Sequence, residues 1–235
     1  MYRLPLKIRT EDLIAWCREA GATPASAVSA MICQVINKEN KIEEGLIMTV
    51  VPASLKRFLH ADKSFKNCSS AYFIGAYPSE CASMSTGELA RKLRTDMKNQ
   101  MGEKMALLMS SSINMIVHLG KKLPTFYLKN KVMAMPEKRP QDTVTVDYVG
   151  GLTTNDYSDQ ITGVKYLNAD AYGGGLYIVM SETAGCFHIN FTQTFESSKY
   201  YDGFLALLDE LNIPYETLPR DTYLNPVVEM PAEQK

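Results

Sequence analysis

The side chains that could act as general bases near neutral pH are three histidines, His60, His118 and His188. None of them stands beside another histidine in the sequence. His118 falls on an apolar helix, which favours a hydrogen-bonded core histidine, and His60 falls in a basic stretch, which favours exposure. His188 lies in segment 186–191, whose alternating pattern is typical of a strand. For His188, catalysis and a place on the solvent face of a strand are both open interpretations.

Asp147 is the second candidate for chemistry. It ends an apolar strand just before the pair Gly150-Gly151, and strand ends often carry functional side chains. A structural acid is the alternative interpretation. An enzyme that relies on His188 and Asp147 requires both side chains in one pocket, so their separation in the fold tests that hypothesis.

A cluster of cations occupies a polar, irregular stretch of the chain, formed by Lys56, Arg57, Lys63 and Lys66. Lysine and arginine side chains close together can bind phosphate groups. The alternative is a solvated loop whose charges face water. The sequence leaves both interpretations open.

Composition excludes several classes of protein. The chain has 235 residues, of which 46% are hydrophobic and 22% charged, and a net charge of −1, which favours neither nucleic acid nor an anionic membrane as a partner. Its apolar windows are too interrupted to span a membrane, and its first residues lack the apolar run of a signal peptide. Five scattered cysteines without C-x-x-C spacing favour reduced thiols in the cytoplasm and argue against a metal site.

Local signals predict the elements that must position these residues. Strands are expected at 45–51, 71–77 and 143–151, followed by a hairpin within 174–195 and a helix ending at Leu211. Helices are expected at 10–20, at 25–37, after the capping box at Ser85, at 105–119 and at 126–135. Because the strands are too few for two sheets, we expect one α/β domain with a mixed central sheet flanked by helices.

Four stretches of the chain resemble one lobe of a known superfamily. Residues 13–26 are similar to its opening helices, and residues 46–55 to its strand that leads into a loop. Residues 67–70 lie where members often carry asparagine and small residues. Residues 146–151 lie where condensation domains carry Ser-Asn-x-Gly and BAHD acyltransferases carry Asp-Phe-Gly-Trp-Gly. The order of elements resembles the C-terminal lobe of the chloramphenicol acetyltransferase-like superfamily, which also includes bacterial alcohol acetyltransferases.

This resemblance implies a division of the chain and a set of contacts. It implies a single lobe over residues 1–215 and a polar tail over 216–235. It also implies an acyl thioester of coenzyme A or of a carrier protein's phosphopantetheine as co-substrate, with no covalently bound cofactor. The candidate contacts to that thioester are Lys56, Arg57, Asn67, Ser69 and Tyr148. In the resembled families the acid at the position of Asp147 is mainly structural and pairs with an arginine.

The sequence departs from the superfamily in one respect that affects activity. The defining motif His-His-x-x-x-Asp-Gly, which lies in the N-terminal lobe of family members, is absent from this sequence. Its second histidine takes the proton from the acceptor hydroxyl or amine. The resemblance therefore implies the C-terminal lobe of an acyltransferase that moves an acyl group from a thioester to an alcohol or amine. Such a lobe is expected to be inactive without an N-terminal lobe from the same gene product or another chain.

Two other functions remain open. One is a non-catalytic, condensation-like scaffold or binding module, and the other is an enzyme of unrelated chemistry that uses His188 and Asp147. In the family the hairpin within 174–195 crosses toward the other lobe as a latch. Without that lobe we expect uncovered apolar side chains on one side of the hairpin, at Leu176, Ile178, Met180, Phe187, Ile189 and Phe191. A scaffold instead predicts no exposed apolar face.

Overall fold

The computed structural model describes residues 1–61, 63, 68–122, 124–128, 144–151 and 175–222, without the side chain of residue 113. Its strands are β1 (Tyr2–Arg9), β2 (Ile47–Ser54), β3 (Ser69–Ala76), β4 (Val144–Gly151), β5 (Leu176–Thr183), β6 (Cys186–Gln193), β7 (Glu216–Thr217) and β8 (Asp221–Thr222). Its helices are α1 (Thr10–Ala20), α2 (Pro24–Asn40), α3 (Pro78–Ser83), α4 (Thr86–Gln100), α5 (Glu103–Lys122) and α6 (Lys199–Glu210). Residues 126–128 of the helix predicted at 126–135 are also helical, and the rest of that stretch lies outside the described residues.

The strands form one eight-stranded sheet in the order β3-β2-β4-β5-β6-β1-β7, and β8 also pairs with β1. Strands β2, β4 and β5 are parallel, whereas β3 is antiparallel to β2. Because β6 is antiparallel to both β5 and β1, β1 runs in the same direction as β2, β4 and β5. The prediction of an α/β fold with a mixed central sheet is confirmed.

Helix α2 is the centre of the helical layer. Thr23 and Ser26 form a capping box at its start, and Pro24 occupies the first turn, where its missing N–H costs nothing. Small residues such as Ala27 and Ala30, both fully buried, allow α2 to lie close to its neighbours. It contacts β2, β3 and β4 of the sheet and is flanked by α4 and α6. The helix predicted at 25–37 is confirmed, and most of it is buried.

The hairpin of β5 and β6 does not project from the domain. A two-residue turn joins the strands, in which Ala184 and Gly185 have φ of 52° and 72°. The hairpin lies inside the sheet between β4 and β1, and its apolar face packs beneath the helices, where the ring of Phe191 lies 5.4 Å from Tyr201 and 5.1 Å from Phe204. The expectation of uncovered apolar side chains is therefore wrong, since every one of them is at most 2% exposed: Leu176, Ile178, Met180, Phe187, Ile189 and Phe191.

Strand β1 was not among the strands expected from the sequence, and Pro5 lies in its middle. Pro5 does not interrupt the ladder with β6, because its backbone polar groups point to the other side of the strand, toward β7. The Pro5 carbonyl accepts the N–H of Leu218 at 3.0 Å and the hydroxyl of Tyr201 at 2.9 Å. Strands β7 and β8 pair with β1, so the sheet extends into the segment expected to be a polar tail. Residues 223–235 of that tail lie outside the described residues.

The ladder between β2 and β4 is short. It consists of the pairs Thr49–Val144 and Val50–Thr145. The next residue of β2 that could continue the ladder is Pro52, which has no N–H to donate. Beyond this point β2 is held by β3 and β4 is held by β5.

Candidate functional site

The four parallel strands end on the same side of the sheet. Their last residues are Arg9 of β1, Ser54 of β2, Gly151 of β4 and Thr183 of β5. The antiparallel strand β3 begins on this side, because Ser69 is paired with Ser54. We call this side the carboxyl end of the sheet. In open α/β sheets, ligands characteristically bind outside the carboxyl ends of parallel strands.

A tight turn after β2 presents two cations at the carboxyl end. Leu55, which is 2% exposed, anchors the turn: its N–H donates to the carbonyl of Cys68 at 2.6 Å, and its carbonyl accepts the N–H of Leu59 at 3.0 Å. Lys56 is half-buried and Arg57 is exposed. Among the described residues, neither cation lies within ion-pair distance of a carboxylate. No described carboxylate neutralises these two cations, so both side chains could bind a phosphate group.

Two other candidates flank this turn. Ser69 is exposed at the first position of β3, and Lys63 is exposed in the connection between β2 and β3. Lys66 and Asn67, which the sequence also proposed, lie outside the described residues. The topology thus brings Lys56, Arg57 and Ser69 to one end of the sheet.

Strand β4 supplies Asp147 and Tyr148 to the same end. The Asp147 carboxylate accepts the hydroxyl of Tyr177 at 3.2 Å, and burial raises the Asp147 pKa although this hydrogen bond opposes the rise. The Tyr148 hydroxyl lies 3.3 Å from the Glu182 carboxylate, and burial, with the charge of Glu182, raises the Tyr148 pKa. Within the described part of the chain, the hydrogen-bond partner of Asp147 is therefore a tyrosine, not an arginine.

A bulge interrupts the ladder of β4 with β5 near its carboxyl end. The register with β5 shifts between Tyr148 and Gly150, and Gly150 has φ of 88°, a conformation that favours glycine. Val149 is left 48% exposed at this point. The carboxyl end of β4 is therefore partly exposed, at Val149 and Gly151.

His188 is buried within β6. It is 9% exposed, and burial lowers its pKa, as does the charge of Lys7, while a hydrogen bond with the backbone of Thr183 opposes this effect. Its cross-strand neighbours are Lys7 of β1 and Ser181 of β5. The Nε2 atom has no hydrogen-bond partner within the described structure. A solvent-face position, one of the two interpretations that the sequence left open, is wrong, because His188 is buried.

His188 and Asp147 share a face of the sheet without meeting. Asp147 is paired with Val179 of β5, and Val179 is paired with Asn190 of β6, two residues from His188. Two strand spacings and two residues along the strand separate their Cα atoms by about 12 Å. Strand β5 lies between them, so no acid–histidine pair forms.

The remaining histidines are both exposed. His60, with φ of 49°, lies in the turn after β2, as expected. The core position expected for His118 is wrong. Helix α5 packs through the side that carries Ala106 and Met109, and His118, nine residues after Met109, falls on the opposite side at about 100° per residue.

A stripe of buried polar side chains was missed by the sequence analysis. Arg3 is 4% exposed and donates from Nε to Asn190 at 2.9 Å, and it also pairs with Asp221. Ser181 and Thr192 lie on the same face, and their hydroxyls have no hydrogen-bond partner among the described residues. The signal was present in segment 186–193, whose alternate residues are polar, but alternation alone does not tell whether the polar face meets water.

Two features are absent from the described residues: a cluster of metal ligands and a membrane-spanning helix. No group of three or more metal-ligating side chains occurs in the part of the chain that the structure describes. None of the helices described here is both long enough and apolar enough to cross a bilayer.

Comparison by sequence gives no relatives: neither a protein-family model nor a curated protein matches this chain. Comparison by structure does. The chain matches F. sporotrichioides TRI101 complexed with coenzyme A and T-2 with a TM-score of 0.65, at 10% identity, over 92% of this chain and 51% of that protein. It matches the PapA2 acyl transferase with a TM-score of 0.53, at 13% identity, over 89% of this chain and 44% of that one.

The name of a third solved structure indicates epimerization and not acyl transfer. The epimerization domain from the third module of tyrocidine synthetase B matches with a TM-score of 0.50, at 10% identity, over 88% of this chain and 48% of that domain. This chain thus spans about half the length of each of these proteins. At such low identities the likeness establishes the fold and not the reaction. The chain has the chloramphenicol acetyltransferase-like fold, in a form about half as long as these solved members.

Proposed function

We propose that this chain is the C-terminal lobe of an acyltransferase that moves an acyl group from a coenzyme A or carrier-protein thioester to an alcohol or amine. The observation that carries the proposal is the half-length match to an acyl transferase and to a structure complexed with coenzyme A. The five free cysteines fit a reducing compartment, and we place the protein in the cytoplasm.

In this proposal the lobe binds and orients the donor. Lys56 and Arg57 contact the phosphates of coenzyme A or of phosphopantetheine, because they are paired with no described carboxylate. Asn67, Ser69 and Tyr148 complete the wall that the donor lies against. Asp147 has a positioning role, since its carboxylate holds the hydroxyl of Tyr177 at 3.2 Å.

The proton transfer requires a second lobe. As the acceptor oxygen or nitrogen forms its bond to the acyl carbon, its proton must pass to a base while the thiolate leaves. His188 is unsuited to that role, because it is buried and lies two strands from β4. The proposed base is the histidine of a His-His-x-x-x-Asp-Gly lobe, supplied by the same gene product or another chain.

Binding of coenzyme A by this chain alone tests the proposal. We expect calorimetry to detect binding, and we expect the double variant Lys56→Ala, Arg57→Ala to weaken it by about 10-fold or more, as loss of two charge-assisted contacts predicts. The matched control is Lys38→Ala with Lys41→Ala, which removes two exposed cations near the C-terminal end of α2. Equal weakening by both pairs would show nonspecific charge attraction and contradict the site.

Activity requires a separate measurement. The chain alone should not hydrolyse or transfer an acyl thioester above the uncatalysed rate. Addition of a lobe that carries the His-His motif, or expression of the full-length gene product, should restore transfer. Transfer by this chain alone would contradict the proposed division of labour.

A non-catalytic scaffold or binding module is the second candidate. The observation that favours it is the burial of the hairpin's apolar face, which needs no second lobe to cover it. The exposed apolar side chains of α5, among them Leu108 and Met115, are not what a scaffold predicts. A scaffold predicts a folded chain that binds no coenzyme A. It also predicts that a His-His lobe confers no transfer activity.

A further inference from the structure

Strand β3 is an edge strand without the usual protection. In the sheet that the described residues form, it stands at one end and is paired on one side, with β2. Its sequence, SSAYFIGA, has no charged residue and no proline. Strands of this composition at a sheet edge readily pair with strands of other molecules, and natural proteins usually place lysine or proline there.

The register shows which backbone groups of β3 point away from the sheet. Ala71 lies opposite Pro52, and Phe73 lies opposite Val50. Pro52 has no N–H, so it cannot exchange two hydrogen bonds with Ala71, and this is a non-hydrogen-bonded pair. The N–H and C=O groups of Ala71, Phe73 and Gly75 therefore point outward, where an added strand would bind.

Side chains of α4 occupy two of these three outward positions, those of Phe73 and Gly75. The Gln100 carboxamide accepts the N–H of Phe73 at 3.1 Å and donates to the Phe73 carbonyl at 2.6 Å. Gln100 thus forms hydrogen bonds with both outward backbone groups of Phe73, as a neighbouring strand would. It can do so because a carboxamide carries the same kinds of donor and acceptor as a peptide group. Lys92 donates to the Gly75 carbonyl at 3.2 Å and is held in place by the Glu80 carboxylate at 2.8 Å.

We propose that Gln100, assisted by Lys92, closes the β3 edge against pairing with β3 of a second copy of this chain. We choose a second copy as the partner because β3 of one copy can pair antiparallel with β3 of another copy about a two-fold axis. Removal of the Gln100 carboxamide leaves the Phe73 backbone groups open, and the uncharged strand then pairs.

The variant Gln100→Leu tests this proposal, with Asn99→Leu as its matched control. Both substitutions replace a polar side chain by leucine in the last turn of α4, and Asn99 is exposed. In sedimentation velocity we expect Gln100→Leu to shift toward twice the mass of the wild type as concentration rises, and Asn99→Leu to behave as the wild type. Hydrogen exchange at the Phe73 amide should be faster in dilute Gln100→Leu than in the wild type.

A second substitution links any association to this strand. Ala71→Pro removes an outward N–H and no ladder hydrogen bond, so it should abolish the association of Gln100→Leu while circular dichroism shows the fold retained. Association that survives Ala71→Pro, or that appears equally in Asn99→Leu, would overturn the proposal. So would a folded Gln100→Leu variant that keeps the wild-type mass at every concentration.

Discussion

Helices α2 and α5 are similarly rich in apolar residues and differ in what surrounds them. In α2 the residues from Ala25 to Cys33 are all buried, because the helix lies between the sheet, α4 and α6. In α5 the side chains of Leu108, Met115 and Leu119 are 59%, 67% and 52% exposed. The comparison shows that burial in this chain depends on the number of neighbouring elements and not on apolar content alone.

The largest difference between the two helices should appear on truncation of a core side chain. Ile32 of α2 is fully buried, so Ile32→Ala should lower the free energy of unfolding by about 2–5 kcal/mol. Leu108→Ala in α5 is the control and should change it by less than about 0.5 kcal/mol, because little surface is lost from the core. Urea unfolding followed by circular dichroism measures both. A cost for Leu108→Ala equal to that of Ile32→Ala would show that α5 is packed after all.

Glycine substitutions give a second, smaller contrast. A Cβ added at Gly203 of α6 would lie 2.8 Å from a methyl group of Val35 in α2, whereas one added at Gly120 of α5 meets nothing within 4 Å. Gly203→Ala should therefore destabilise the protein by about 1–3 kcal/mol through overpacking. Gly120→Ala should stabilise it by up to about 1 kcal/mol, because alanine favours helix. Thermal unfolding that shifts both variants in the same direction would remove this contrast.

A third prediction concerns pH and the buried histidine His188. Burial, with the charge of Lys7, lowers the folded-state pKa of His188 below 6.5, so the unfolded chain takes up the proton first as pH falls. The contribution of neutral His188 to the free energy of unfolding is therefore fully present above pH 6.5, and it is lost as pH falls through the folded-state pKa. His188→Gln should flatten this decline in the free energy of unfolding. A decline that is as steep in His188→Gln as in the wild type would exclude the burial of His188 as its cause.

Much of the helical layer could be predicted, because helix ends are set by neighbouring residues. The start of α2 is fixed by Thr23 and Ser26, and the start of α4 by the reciprocal hydrogen bonds of Ser85 and Glu88. Gly21 ends α1 with φ of 69°. Such signals lie within a few residues of each other, so they can be read without knowledge of the fold.

Strand β1 and the place of the hairpin could not be predicted in this way. Proline in the middle of a short segment locally predicts the end of a strand. Only the pairing of β1 with β6 along its whole length shows that Pro5 does not interrupt this strand. The hairpin was expected at a lobe boundary, whereas it lies in the middle of the sheet. Both depend on partners far away in sequence.

The candidate site also has a part that could be predicted from the sequence and a part that could not. Lys56, Arg57, Ser69 and Tyr148 were named from residue type and resemblance, and the parallel direction of β2, β4 and β5 brings them to one end of the sheet. The polar side chains of β6 were visible as an alternating pattern. Their burial was not, since it depends on what covers that face of the sheet.

The sequence by itself determined most of the helices, the order of strands β2 to β6 and the α/β class, because these follow from caps, periodicity and composition within short windows. The tertiary structure alone decided which strands are neighbours, that His188 and Asp147 stand apart, and that Gln100 meets the edge of β3. These features join residues distant in the chain through packing and hydrogen bonds. A local pattern carries no information about such contacts until the fold brings the partners together.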